Sequence, residues 1–294
     1  MTDPVLLRAD AEDQAARFPA LLARAEHLAG AVLLGAHGRR RAGVGDDFWH
    51  YRPAHAGDSR RRIDYRRSAM GDQEFVRERE WQIAQSVMLW VDQGASMRFA
   101  STPKLPQKAD RARLLALAVA ILLERGGERV GLTGTALPPR SGKPQILRLA
   151  EMFSQDDTAD YAPPEHRAMI PHARAVFISD FMGDLDGVTL ALTKAADRGV
   201  RGVLFHLLDP SEEAFPFTGR TIFESMGGTL SHETLKANDL KARYLDRLAE
   251  RKAELQRLCA VTGWRYGLHH TESSAQSALL WLYSALDTRT GAAA

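Results

Sequence analysis

Apolar and polar positions fall into blocks along most of this chain, and the block lengths separate two kinds of element. Short apolar runs occur at Ser86–Val91, Arg129–Thr133, Ala175–Ser179, Arg201–Leu207 and Arg265–His269. Runs of this length without polar alternation read as strands buried on both faces, as in a parallel sheet. Between them lie longer stretches with helical spacing, at about Asp110–Arg125, Gly142–Phe153, Leu185–Arg198, Glu233–Val261 and Ser273–Leu286. Gly126-Gly127 and Gly199 supply helix stops. Two short strands, Arg220–Glu224 and Gly228–Ser231, are expected to form a hairpin across Met226-Gly227. Alternating strands and helices predict an α/β fold, a doubly wound and mostly parallel sheet covered on both faces.

The first part of the chain reads differently. Helical spacing covers Asp10–Ala29, followed by a strand-like piece at Ala31–Leu34 and a basic turn, Gly38-Arg39-Arg40-Arg41. Phe48–Ala69 is irregular and rich in arginine and aromatics. Gln73–Trp81 alternates Glu74, Val76, Glu78 and Glu80 against Phe75, Arg77, Arg79 and Trp81, which predicts an exposed edge strand guarded by charge. The expected organisation is an N-terminal helix with an Arg/aromatic-rich β segment over residues 1–83, then an α/β domain over residues 84–290.

Composition narrows the class. The 294 residues allow one large α/β domain with an added segment. Thirty-nine basic and 37 acidic residues leave a net charge of +2, which does not point to nucleic acid as a partner. The single cysteine, Cys259, excludes an intrachain disulfide and reads as a buried hydrophobe in a helix. The amino terminus has early acids and no secretory pattern. The longest apolar run, Leu114–Leu123, falls short of the ~20 residues a bilayer requires, so the protein is expected to be cytoplasmic.

Candidate chemistry gathers at strand ends. In a parallel sheet all carboxyl ends share one rim, and open α/β folds bind ligands there. Asp92, Asp180, Asp209 and His269 each follow or close a predicted strand. Asp92, Ser96 and Asp180 supply the hard oxygens that Mg²⁺ prefers, and Ser141 or Thr135 is placed to add another. Gly94 offers no side-chain oxygen. The alternative is that these acids cap helix amino termini and satisfy loop N–H groups. Ser141, Asp209 and His269 complete a candidate partner-binding rim. No nucleophile elbow, phosphate loop or dinucleotide fingerprint is present, so no catalytic residue is assigned.

The Arg-rich block admits two roles. Arg60, Arg61, Arg62, Arg66 and Arg67 could clamp phosphates or stack on bases. Yet Asp58 and Asp64 stand among them, and a structural cluster of Arg52, Asp58, Arg60, Asp64 and Arg66 would fix an irregular segment through ion pairs. His50 and His55 lack partners at metal-ligand spacing, and His269-His270 lies on the rim.

Several stretches together resemble the bacterial family called domain of unknown function 58. They are Tyr51-Arg52-Pro53, Gly57-Asp58-Ser59-Arg60, Ile63-Asp64-Tyr65-Arg66, Val76-Arg77-Glu78, Val91-Asp92-Gln93-Gly94-Ala95-Ser96, Ile178-Ser179-Asp180-Phe181 and Leu208-Asp209-Pro210 with Glu212. The resemblance implies a von Willebrand factor A-like (Rossmann-like) domain. It also implies a non-enzymatic adaptor role beside a MoxR-type AAA+ ATPase. By the same likeness, Asp92 and Ser96 would be first-loop ligands and Asp180 the third-loop acid of a degenerate metal-ion-dependent adhesion site holding Mg²⁺. Two rivals stand beside this reading. One is a Mg²⁺-dependent hydrolase or phosphoryl-transfer enzyme using Asp92 and Asp180, with His269 or Asp209 as base. The other is nucleic-acid binding through Arg60–Arg67.

Overall fold

Five apolar runs form one parallel sheet in a computed structural model that describes residues 21–286, apart from 33–38, 44–46, 56–59, 61–62, 70, 72, 84, 155–158 and 229–230. The strands are β4 (Ser86–Val91), β5 (Arg129–Leu132), β6 (Arg174–Ser179), β7 (Arg201–Leu208) and β10 (Arg265–His270), in the order β10-β7-β6-β4-β5. From β4 the chain moves outward to β5, then crosses back to β6 and continues through β7 to β10. The winding direction therefore reverses between β4 and β6. This is the doubly wound α/β architecture expected from the pattern. Its switch point is the crevice where such sheets bind ligands.

Two apolar layers cover the sheet. One contains α3 (Lys108–Arg125), α4 (Lys143–Phe153), α8 (Ala275–Leu286) and the helix at residues 21–30, here α1, which contributes Ala25 and Ala29. The sequence grouped α1 with the β segment that follows it, whereas its buried alanines pack in this layer of the larger unit. The other layer contains α5 (Leu185–Asp197) and α7 (Asn238–Thr262), meeting Met88, Trp90, Phe177 and Leu204 from the sheet. Helix α3 is buried from Ala112 through Leu123. That explains its all-round apolar sequence, because a helix lacking a polar face must be enclosed. Among the described residues no helix is long and apolar enough to cross a membrane.

Three elements depart from the sequence expectation. A one-turn helix, α6 (Pro210–Ala214), follows β7. The hairpin exists, as β8 (Thr221–Glu224) and β9 (Ser231–Thr234), but its second strand starts where the predicted one ends, and α7 starts correspondingly later. Finally, the charged strand is not an edge. β3 (Phe75–Ile83) lies between β1 (Arg39–Gly43) and β2 (Asp47–Pro53) in a three-stranded antiparallel sheet. Alternating charge is equally the pattern of an edge strand guarded against pairing.

Residues Ala36–Gln85 form their own compact unit around that small sheet. The one-turn helix α2 (Tyr65–Ser68) is capped by Asp64, which accepts the N–H of Arg67 at 3.0 Å and the Tyr51 hydroxyl at 3.2 Å. The Arg67 guanidinium lies 5.7 Å from the ring centres of both Tyr51 and Phe75. These contacts give the Arg/aromatic block an internal structural role at Asp64 and Arg67. Arg60 and Arg66 are exposed; Asp58, Arg61, Arg62 and the Arg52 side chain lie outside the described residues.

Candidate functional site

The sheet register brings the ends of β4 and β6 side by side. Val91 pairs with Ile178, and the Asp92 N–H donates to the Ile178 carbonyl at 2.9 Å. Asp92 is 1% exposed, and both of its carboxylate oxygens are occupied. The Gly94 N–H donates to Oδ1 at 2.8 Å and the Ser179 hydroxyl to Oδ2 at 2.6 Å. Ser179 in turn accepts the Phe181 N–H at 2.9 Å. Burial, with the charge of Asp180 nearby, lifts Asp92 to about 7 despite these hydrogen bonds. Its proton is therefore shared with solvent near neutral pH, unlike that of an ordinary carboxylate.

Asp180 meets a cation of the protein's own. Lys108, in the first turn of α3, is 1% exposed and places Nζ 2.8 Å from Asp180 Oδ2 and 2.5 Å from Glu212 Oε1. Burial alone would raise Asp180, but the charge and hydrogen bond of Lys108 bring it below the usual carboxylate range. Burial likewise opposes the ammonium, and the two acids more than offset it, holding Lys108 above its ordinary value. Glu212 remains raised because burial outweighs the attraction of Lys108. The lysine ring contact is Phe99, whose centre is 5.7 Å from Nζ. Immediately after Asp180, Phe181 adopts a left-handed backbone (φ 47°), uncommon for a bulky residue and concentrated at functional turns.

The remaining rim candidates are held by structural contacts. Asp209 caps α6, accepting the Ser211 N–H at 2.9 Å and the Ser101 N–H at 3.0 Å, while Glu212 returns a hydrogen bond from the Asp209 N–H at 2.7 Å. This reciprocal capping box fixes the Glu212 carboxylate that receives Lys108. His269 stacks on Phe205, and its Nε2 sits 3.0 Å from the Arg111 guanidinium. Burial and Arg111 lower it to about 4, so it is a neutral acceptor. Ser141 lies elsewhere. The loop after β5 doubles back so that Arg140 bridges Val130 antiparallel, carrying exposed Ser141 towards the start of that strand. The return passes so close that a Cβ on Gly131 would lie 2.9 Å from Pro139 Cα. Thr135 turns its hydroxyl to the Leu132 carbonyl at 3.2 Å. Cys259 is buried, and its thiol is pushed up to about 12.

Gly94 has a positive structural reason. The segment after α4 crosses the Asp92 loop, where the Ala95 and Ser96 N–H groups donate to the Ala159 and Asp160 carbonyls at 2.8 and 3.0 Å. A Cβ at position 94 would lie 2.8 Å from the Asp160 carbonyl oxygen and 3.0 Å from Asp92 Oδ1. A serine does not fit here without moving the crossing strand of chain.

The donor set does not fit the divalent ion that the resemblance implies. The cation position beside Asp180 is filled by an ammonium, each Asp92 oxygen already accepts a hydrogen bond, and a side chain at position 94 meets the Asp160 carbonyl. The Ser96 hydroxyl faces Asp180 closely enough to favour its ionised form, yet makes no hydrogen bond of good geometry. The sequence pattern starts this helix near Asp110 and so leaves Lys108 out of it, whereas the structure begins it at Lys108. A lysine at the first position of a helix opposes the macrodipole, so an acidic partner from elsewhere was to be expected.

Above the ion triad opens a cavity of about 640 Å³. Its walls come from Phe99, Tyr161, Phe217, Phe223, Met226 and Tyr244, with Lys108, Asp180 and Glu212 in its floor. The β8–β9 hairpin closes one side. Its Gly227 N–H donates to the Asp160 side chain at 2.6 Å, tying the hairpin turn to the segment that crosses the Asp92 loop.

These features define a doubly wound α/β protein whose switch point carries an internal ion triad beneath an aromatic cavity. The chain matches a family model, protein of unknown function DUF58, over residues 50–254, and it belongs to that family. No curated protein matches it significantly. The crystal structure of conserved hypothetical protein BatB from Bacteroides thetaiotaomicron aligns with a TM-score of 0.38 at 17% identity, covering 69% of this chain and 98% of that one. That likeness is too distant to argue from.

Proposed function

We propose that this protein is a non-enzymatic docking module, presenting the switch-point rim of its larger unit to a protein partner without a metal ion. The observation that carries this reading is the contrast between floor and walls of the cavity. Every acid in the floor is already engaged by Lys108, while the walls are open apolar surface. With the floor acids paired, the open apolar walls are what the cavity offers, and such surfaces suit binding. Asp209 and His269, the bases that the enzyme reading would use, are committed to a helix cap and to Arg111.

In this role Lys108 supplies from within the positive charge that an adhesion-site ion would bring. The partner candidate that the family resemblance implies is a MoxR-type AAA+ ATPase. The test has two arms. Isothermal titration of Mg²⁺ and Mn²⁺ into the protein is expected to give no saturable heat at millimolar concentration, and phosphate esters are expected to survive incubation. Co-purification with a MoxR-type ATPase is expected to be lost in Met182→Arg, which crowds the rim from a half-buried wall position. Saturable metal binding that disappears in Asp92→Ala, or ester turnover, would overturn the proposal.

A further inference from the structure

Two exposed arginines stand one helical turn apart at the mouth of the aromatic cavity. Arg243 and Arg247 of α7 both line it, flanking Tyr244. Neither forms an ion pair with any described residue, although Glu224 and His232 line the same mouth. The other basic group of the cavity, Lys108, is consumed by Asp180 and Glu212. At the exposed lip two guanidinium groups face the one carboxylate of Glu224, above walls of phenylalanine, tyrosine and methionine.

We infer that this cavity receives a linear acidic peptide from a protein partner, with one bulky apolar side chain between the aromatic walls and flanking carboxylates on Arg243 and Arg247. The inference rests on the docking reading above and names its chemistry. Charge complementarity selects the occupant. Guanidinium forks pair with carboxylates in preference to neutral or basic groups. An aromatic or long aliphatic side chain gains most where it fills an apolar pocket at the centre of a contact. The cavity volume suits one such side chain and adjacent backbone, not a folded domain. The exposure of Arg243, Arg247 and Met226 makes them replaceable without disturbing the core.

The experiment selects a random dodecapeptide display library against the full chain and measures the enriched peptides by fluorescence polarisation. Enrichment of an aromatic or large aliphatic residue beside aspartate or glutamate is expected. Binding should weaken at least about tenfold in Arg243→Glu/Arg247→Glu, and less in Met226→Ala, with unchanged circular dichroism and melting temperature. Enriched peptides that are basic or uncharged overturn the inference, as do acidic ones indifferent to both variants. In those cases, peptides displaced by Met182→Arg leave the docking reading standing. No enrichment at all also overturns the inference, while retained ATPase co-purification again preserves the wider reading. Stabilisation by decanoate that is lost in the double variant, without peptide enrichment, would assign the cavity to a small amphiphilic acid instead. Self-association abolished by the same variant would assign it to a second copy of the chain.

Discussion

Asp64 in the small unit and Asp180 in the larger one both face cationic neighbourhoods, and the two environments use charge in opposite ways. Asp64 is half-buried, caps a single helical turn and shares its oxygens between a backbone N–H and a tyrosine hydroxyl. The guanidinium nearby, that of Arg67, rests on aromatic rings. Asp180 is fully enclosed and depends on one ammonium, which also serves Glu212. Water screens the first arrangement, whereas in the second Lys108 and Asp180 are each only 1% exposed. The lesson is that the density of charged residues in sequence is a poor guide to where charge governs stability. Arg60, Arg66 and Arg67 of the Arg-rich block are exposed, where single charges have small effects, whereas Lys108 is a single residue on which a buried cluster depends.

The sharpest way to break this contrast is Lys108→Met. It strands two buried carboxylates, and breaking a buried ion pair from one side costs about 3–5 kcal/mol. Urea unfolding should show that loss, with part of it recovered when Asp180→Asn is added. A loss below about 1 kcal/mol would mean that the triad is solvated and no different from the Asp64 site. Next in size is Gly94→Ser, which restores the serine of the adhesion-loop spacing. Because the new Cβ meets the Asp160 carbonyl, the expected result is a loss of about 1–3 kcal/mol and no gain in Mn²⁺ affinity. A stable variant that acquires tight Mn²⁺ binding would show that the oxygen alone was missing.

Asp92 sharpens the comparison through pH. Its folded value of about 7 lies above the ordinary 3.8, so the folded state holds a proton that the unfolded state releases between those limits. The resulting stabilisation is fully present below pH 3.8, declines as pH rises, and is gone above about 7. Wild type should therefore lose stability relative to Asp92→Asn between pH 5 and 7, by about 1 kcal/mol per pH unit. Parallel stability profiles for the two proteins would contradict the burial argument. The smallest effect is expected from Asp64→Ala, about 1 kcal/mol for a lost helix cap, read from the same unfolding curves. A loss as large as that of Lys108→Met would erase the distinction between the two regions.

Much of this architecture was legible in the residues. Uninterrupted runs such as Val87–Val91 and Ala175–Ser179 marked buried parallel strands, and the acids closing them marked the rim. The all-apolar face of α3 announced an enclosed helix. The strand at Phe75–Ile83 was misplaced to an edge because charge alternation does not distinguish an edge from the centre of a small three-stranded sheet. Ser141 was placed on the rim because nothing local reveals that the loop turns back along β5.

The order of apolar runs and helix stops, read along the chain, determined that a doubly wound sheet would form and that Asp92 and Asp180 would share its binding edge. Only the tertiary structure decided what those acids do. Lys108 is 72 positions from Asp180 and 104 from Glu212, and no local pattern links them. Folding buries the ammonium and the Asp180 carboxylate almost completely at the floor of the cavity, and there charges that water can scarcely solvate pair with one another.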